Sequence, residues 1–133
     1  MSLEITSAIL CDLVRTEDTG KQILIGVYTG DVLFERFPAA FAPTFWIGFK
    51  PSIQNAEMEF ELRIEAPGPN KPRINPFKLP IERQKTVLLV VSVEKLEITG
   101  PGPLRFSIRL KGGRWTQVLS KDVALKKSEP PTG

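Results

Sequence analysis

The fold of this chain is decided by the stretch SAILCDLVRTEDTGKQILIGVYTGDVLFERFP, residues 7–38. Two apolar runs, 5–15 and 22–28, flank a polar turn that contains Thr, Asp and Gly, and a second turn follows at 29–31. Apolar runs of this length between turn residues are typical of β-strands. We therefore predict that the stretch begins with a β-hairpin and that the fold is all-β.

The pairing of these two strands decides which side chains share a face. If Arg15 pairs with Gln22, both faces of the hairpin are largely apolar, which is typical of central strands in a packed sandwich. Asp12 then lies on a face that also carries Leu10 and Ile25. Because a buried carboxylate needs hydrogen-bond donors or a cation, we predict that Asp12 is buried and holds a turn or a neighbouring strand in place.

Seven further segments have strand character, because they alternate in polarity or are rich in β-branched and aromatic residues between prolines. These segments are 32–35, 45–50, 56–65, 86–93, 96–99, 104–111 and 115–125. The apolar run 86–93 is predicted to be buried on both faces, whereas 67–80 is predicted to be irregular. Gly112 and Gly113 suit a type I′ turn between the last strands.

This arrangement predicts an all-β fold, a two-sheet antiparallel β-sandwich of about seven to nine strands. A small closed β-barrel is the alternative. The 133 residues fit one domain, which we place at 1–125, with a flexible C-terminal tail at 126–133. Trp46 and Trp115 are predicted to be core anchors.

Cysteine usage and hydropathy indicate the compartment. Cys11 is the single cysteine, so it cannot form an internal disulfide, and its apolar surroundings predict a buried thiol. The N-terminus has no basic segment before its apolar run, and no stretch approaches the roughly 20 apolar residues of a membrane span. We predict a cytoplasmic protein that does not enter a membrane.

The first forty residues also carry a distinctive string. Its parts are ILCD at 9–12, VRxE at 14–17, Gly20-Lys21, LIGVY at 24–28 and Gly30-Asp31. This string resembles the opening block, ILCDxVRxE…GKxxLIGVYxG, of a family of short bacterial all-β proteins of unknown function, and the hairpin around 102–113 is similar to theirs. The resemblance implies a single β domain inside the cell and transfers no catalytic residue.

The residue inventory argues against most enzyme chemistries. The chain has no histidine, which removes the usual general base and a usual zinc ligand. Gly100-Pro-Gly102-Pro has no following Lys-Ser/Thr, and no calcium-loop motif occurs. We predict no cofactor, no metal and no catalytic residue. A carboxylate-based enzyme built on Asp12 or Asp31 is the alternative that the inventory leaves open.

Two groups of residues are candidates for function. The first is a polar cluster around the opening hairpin, structural or functional, formed by Asp12, Arg15, Glu17, Lys21, Tyr28 and Asp31. The second is a basic segment with one interleaved aromatic, a candidate contact loop formed by Lys71, Arg73, Phe77 and Lys78. Basic residues around an aromatic ring can bind a single nucleic-acid strand, although such sites usually have several aromatics.

Charge is distributed unevenly along the chain. Residues 1–66 hold ten acids and five bases, which gives −5, and residues 67–133 hold five acids and thirteen bases, which gives +8. Such asymmetry occurs in nucleic-acid-binding proteins. The alternating acidic strand 56–65 and basic strand 104–111 suggest instead that the two halves neutralise each other across neighbouring strands.

These observations favour a non-catalytic binding or assembly module with an unknown protein partner or with itself as partner. The contact would use a sheet edge, a sheet face or the 67–80 loop. A nucleic-acid-binding β module using the basic second half is the first alternative, and the carboxylate-based enzyme is the second.

Overall fold

The computed structural model describes residues 3–51, 56–81 and 85–127, and these form twelve strands and no helix. The strands are β1 (Leu3–Cys11), β2 (Leu13–Thr16), β3 (Gln22–Ile25), β4 (Val32–Phe34), β5 (Ala39–Phe41), β6 (Thr44–Pro51), β7 (Ala56–Glu65), β8 (Arg73–Ile81), β9 (Val87–Ser92), β10 (Leu96–Ile98), β11 (Gly102–Leu110) and β12 (Thr116–Leu125). None of the described residues belongs to a helix able to cross a membrane. The predicted tail beyond residue 127 lies outside the described residues.

Two main sheets form the fold, which confirms the all-β prediction and the sandwich architecture. One sheet has five strands in the order β4-β12-β11-β7-β8, and the other has three in the order β1-β6-β9. The pairs β2-β3 and β5-β10 complete the structure. All pairings are antiparallel except that of β4 with β12, which is parallel.

The core lies between the two sheets and is built on aromatic contacts. Phe45 of β6 lies 4.7 Å from Phe106 of β11, centroid to centroid, and Phe49 of β6 lies 5.7 Å from Phe60 of β7. All four rings are fully buried. Burying a side chain of this size contributes about 1.5–3 kcal/mol, so these contacts between strands help to hold one sheet against the other.

The predicted opening hairpin is wrong in its pairing. The first strand breaks at Asp12, and β1 pairs with β6, while only the short β2 pairs with β3. The register is shifted by one residue, because Arg15 pairs with Ile23 and not with Gln22. Leu13 and Ile25 are therefore exposed, at 43% each, and the hairpin is not a pair of central strands.

Three other predictions need correction. Arg73–Ile81 is the strand β8 and not part of an irregular loop, because it lies at a sheet edge where prolines are tolerated. The run 86–93 is not buried on both faces, because Leu88 and Val90 lie on the exposed outer face of the three-stranded sheet. Only Gly112 of the glycine pair has a positive φ, +82°, so the turn before β12 is not type I′.

Candidate functional site

In the part of the chain that the structure describes, one direct side-chain hydrogen bond joins members of the predicted polar cluster. It lies between Tyr28 and Asp12. The phenol of Tyr28 donates a 2.9 Å hydrogen bond to Oδ1 of Asp12, and the Tyr28 amide donates to the carbonyl of Leu10. Asp12 itself is exposed, which contradicts its predicted burial. The strand is interrupted at Asp12, and this turns the Asp12 side chain away from the face of β1 that Leu10 occupies.

The environment of Tyr28 changes its acidity. Partial burial, followed by the hydrogen bond and the charge of Asp12, raises the pKa of Tyr28 to about 12. Tyr28 is therefore neutral across the physiological range and acts as a hydrogen-bond donor to the Asp12 carboxylate. This pairing ties the segment after β3 to the end of β1.

The other four members of the cluster do not converge on this pair. Arg15, Glu17, Lys21 and Asp31 are all exposed, and no ion pair joins any two of them within the described chain. The Glu17 amide donates to the carbonyl of Lys21, a contact between backbones that closes the β2-β3 turn. The cluster therefore supplies no cleft with two carboxylates.

Cys11 is buried at the end of β1, as predicted. Burial raises the pKa of its thiol, and the charge of Asp12 adds to the same effect, although a backbone hydrogen bond to Leu13 opposes it. A thiol of this kind is protonated at neutral pH and is a poor nucleophile.

The outer face of the five-stranded sheet carries an arginine and tryptophan cluster that the sequence analysis missed. The guanidinium carbons of Arg63 and Arg109 lie over the ring of Trp115, at 4.4 Å and 4.2 Å from its centroid. Trp115 is thus an outer-face residue and not the predicted core anchor. The alternation of β7 and β11 indicated that both arginines point outward. It did not indicate that the turn between β11 and β12 places Trp115 against them.

The prediction that the acidic and basic strands neutralise each other is confirmed. β7 and β11 are neighbours, with Arg109 directly opposite Glu61, and both Nε and Nη2 of Arg109 lie 3.0 Å from Oε1 of Glu61. Nζ of Lys111 lies 3.2 Å from Oε2 of Glu59. Arg109 of β11 and Lys111, which follows β11, therefore meet acids of the adjacent strand.

The predicted contact loop is divided between two environments. Phe77 stacks on Phe60, with centroids 5.4 Å apart and an interplanar angle of 15°, so its ring packs against the core. Lys78 of β8 lies opposite Glu59 of β7. Lys71 and Arg73, in contrast, line a groove at the open side of the sandwich.

This groove runs between the edge strands β8 and β9. One part has a volume of about 390 Å³ and is lined by Leu62, Ile64, Arg73, Asn75 and the segment 91–95. A second part of about 260 Å³ shares Ile64 and Arg73 and extends to 96–97. Nη2 of Arg73 donates a 2.8 Å hydrogen bond to the carbonyl of Lys95, which joins the two sides of the groove.

Along this groove, the outer edge of β9 presents free backbone groups. The Val93 amide donates to the carbonyl of Pro43 on the β6 side, and antiparallel pairing alternates, so residues 87, 89 and 91 direct their backbone groups to β6. Leu88, Val90 and Ser92 direct theirs the other way. No strand of the described residues pairs with that edge.

The side chains of β9 match this geometry. Leu88 and Val90 are 51% and 38% exposed on the outer face of the three-stranded sheet, whereas their neighbours Leu89 and Val91 are half-buried. β9 contains neither proline nor a charged residue. It therefore lacks two of the usual devices, proline and charge, that keep an edge strand from pairing with another chain.

The β8 edge of the five-stranded sheet is protected against pairing. β8 carries Pro76 and Pro80, which have no amide proton to offer a further strand, and its remaining residues include two bases. The sequence did not reveal that β9 is an unprotected edge and β8 a protected one. A proline-free apolar run has the same composition at the centre of a sheet and at its edge.

Within the described ranges no three acidic or thiol side chains lie close enough together to hold a metal ion. No model of a known protein family matches the chain, and no curated protein matches it.

Proposed function

We propose that this protein is a non-catalytic binding or assembly module that adds an extended protein segment as a strand to the outer edge of β9. The observation that carries the proposal is the row of outward backbone groups at Leu88, Val90 and Ser92. Strand addition uses such groups for affinity and the alternating side chains for specificity.

The groove sets the chemistry of the added segment. Its side chains alternate between the two faces of the extended sheet. Those directed inward meet Leu62, Ile64 and Val91, and those directed outward lie beside Leu88 and Val90. A segment that is apolar on both faces fits this edge, with uncharged hydroxyl residues accepted where the strand ends at Ser92.

The residues with reactive groups support binding over catalysis. The thiol of Cys11 is buried with a raised pKa, and the phenol of Tyr28 is held by Asp12 with a pKa of about 12. Neither is an activated nucleophile at neutral pH. The contacts of Arg109 and Lys111 with acids of β7 favour recognition of protein over nucleic acid.

Strand addition can be tested with a designed peptide, Lys-Thr-(Val-Leu)₂-Thr-Lys, which is apolar on both faces and is labelled with a fluorophore. We expect anisotropy to rise on titration with the full chain, and the amide NMR signals of Leu88, Val90 and Ser92 to shift most. The same peptide with every internal amide N-methylated is the matched control, and it loses binding because neither of its edges retains a donor. Shifts confined to other strands, or equal binding of both peptides, contradict the proposal.

A substrate panel tests the catalytic alternative directly. We expect no turnover of ester, phosphate or glycoside substrates by the parent chain. Turnover that Asp12→Asn or Asp31→Asn abolishes would establish a carboxylate-based enzyme. Binding to a nucleic acid that falls steeply with salt would establish the other alternative.

A further inference from the structure

The sequence of β9 and its flanks is self-complementary. Residues 86–92 read TVLLVVS, and reversal about Leu89 places Thr opposite Ser, Val opposite Val and Leu opposite Val. In an antiparallel pair of two copies, every residue from Val87 to Val91 then faces an apolar residue. Thr86 faces the partner's Ser92, and hydroxyl pairs of this kind stabilise neighbouring strands.

The hydrogen-bonding pattern permits the same register. Leu88 and Val90 both direct their backbone groups away from β6, so Leu88 of one copy and Val90 of the other can exchange both N–H···O bonds. Leu89 faces its own counterpart across the two-fold axis as a pair without mutual hydrogen bonds. A shift by one residue would place an outward group opposite an inward one and break the ladder.

The charged residues nearest to β9 lie outside its apolar run. Lys85 precedes the run and Glu94 follows it. No charged residue lies within 86–93, so two copies meet without repulsion along the seam.

We propose that the segment added to β9 is the β9 strand of a second copy of this chain, paired antiparallel about a two-fold axis at Leu89. This inference rests on the proposed function of the β9 edge and specifies its partner. The product is one continuous sheet in the order β1-β6-β9-β9-β6-β1. It places Leu88 beside Val90 of the other copy, and these side chains are 51% and 38% exposed in the single chain. Such isologous contacts close as dimers.

The register can be tested by charge placement. In Leu88→Lys/Val90→Lys, each lysine lies directly opposite a lysine of the other copy. In Leu88→Lys/Val90→Glu, each lysine lies opposite a glutamate. Both positions are exposed in the single chain, so both variants are expected to fold, which circular dichroism and thermal melting check.

Sedimentation equilibrium of the full chain from about 1 μM to about 1 mM measures the outcome. We expect a concentration-dependent dimer for the parent, a dissociation constant raised more than about tenfold by the double lysine, which corresponds to about 1.4 kcal/mol, and recovery of the dimer by the lysine–glutamate variant. Leu33→Lys, at a residue that is 53% exposed on β4, is the matched control and leaves the dimer unchanged.

Three results overturn the inference. They are a parent that stays monomeric throughout, a dimer that the double lysine leaves intact, and recovery by Leu88→Lys/Ser92→Glu instead, which would indicate a different register. Binding of the designed peptide by a monomeric parent removes the self-partner but keeps the proposed function. A monomer that binds no peptide removes both.

Discussion

The carboxylate of Asp12 lies against the backbone of Gly26, where φ is +69° and a Cβ atom would overlap Oδ2 of Asp12. The Asp12 amide in turn donates to the carbonyls of Ile25 and Gly26, at 3.0 Å and 3.2 Å. The break between β1 and β2 and the end of β3 are therefore one structural unit. Glycine is needed there for two separate reasons, the backbone conformation and the space.

Gly26→Ala is expected to destabilise the protein more than Gly20→Ala. Both residues have a positive φ, which costs an alanine about 1–2 kcal/mol, but Gly20 has no atom within 4 Å of the added methyl group. Urea denaturation measures both free energies of unfolding. In an Asp12→Ala background the difference should shrink, and a difference that persists there would show that Asp12 is not its cause.

Tyr28→Phe is expected to lower the free energy of unfolding by about 0.5–1.5 kcal/mol, the usual contribution of one hydrogen bond. Asp12→Ala should have a similar effect, and the double variant should cost less than the sum of both, because the same 2.9 Å bond is lost. A double-mutant cycle by urea denaturation measures the coupling. Additive effects would show that the bond contributes nothing to stability.

Titration of Tyr28 is directly observable, because it is the only tyrosine in the chain. Its pKa is raised from the ordinary value of 10.0 to about 12, so the folded protein holds this proton more tightly than the unfolded chain does. This contribution to stability is complete below about pH 10 and is lost as pH rises towards 12. Absorbance of tyrosinate near 295 nm should report a midpoint near 12, falling in Asp12→Asn.

Arg109→Ala is expected to destabilise the protein by about 1 kcal/mol, and Lys111→Ala by less than about 0.5 kcal/mol. The side chains of Arg109 and Glu61 are 26% and 21% exposed, and the guanidinium also lies over Trp115. Those of Lys111 and Glu59 are 67% and 39% exposed, so water screens that pair. Thermal melting at low and high salt measures both, and equal losses would contradict the role of burial.

Much of the five-stranded sheet could be predicted from local pattern. The alternation of β7 and β11 identifies Phe60 and Phe106 as core residues and Glu61 and Arg109 as outward ones, because successive side chains of a strand point to opposite faces. The complementary charges of these two strands further indicated that they are neighbours. Both inferences need only the sequence within a strand and the sign of its charges.

The candidate site could not be predicted in the same way. Whether β9 lies at the centre or at the edge of its sheet depends on the pairing of distant strands, and β1 pairs with β6 and not with the segment 22–28 that the predicted hairpin gave it. From the sequence alone, Leu88 and Val90 are predicted to be core residues, because the run 86–93 is uncharged and rich in β-branched residues. They are exposed because, among the described residues, their part of the outer face of the three-stranded sheet is left uncovered.

The sequence by itself determined the all-β fold, the inward and outward faces of its alternating strands, and the buried thiol of Cys11, because these follow from the pleat of a strand and the cost of exposing apolar groups. Only the tertiary structure decided the break at Asp12, the placement of Trp115 beneath two arginines, and the free edge of β9. Each of these depends on contacts between segments far apart in the chain, where many pairings satisfy the same local pattern and only packing of the whole core selects one.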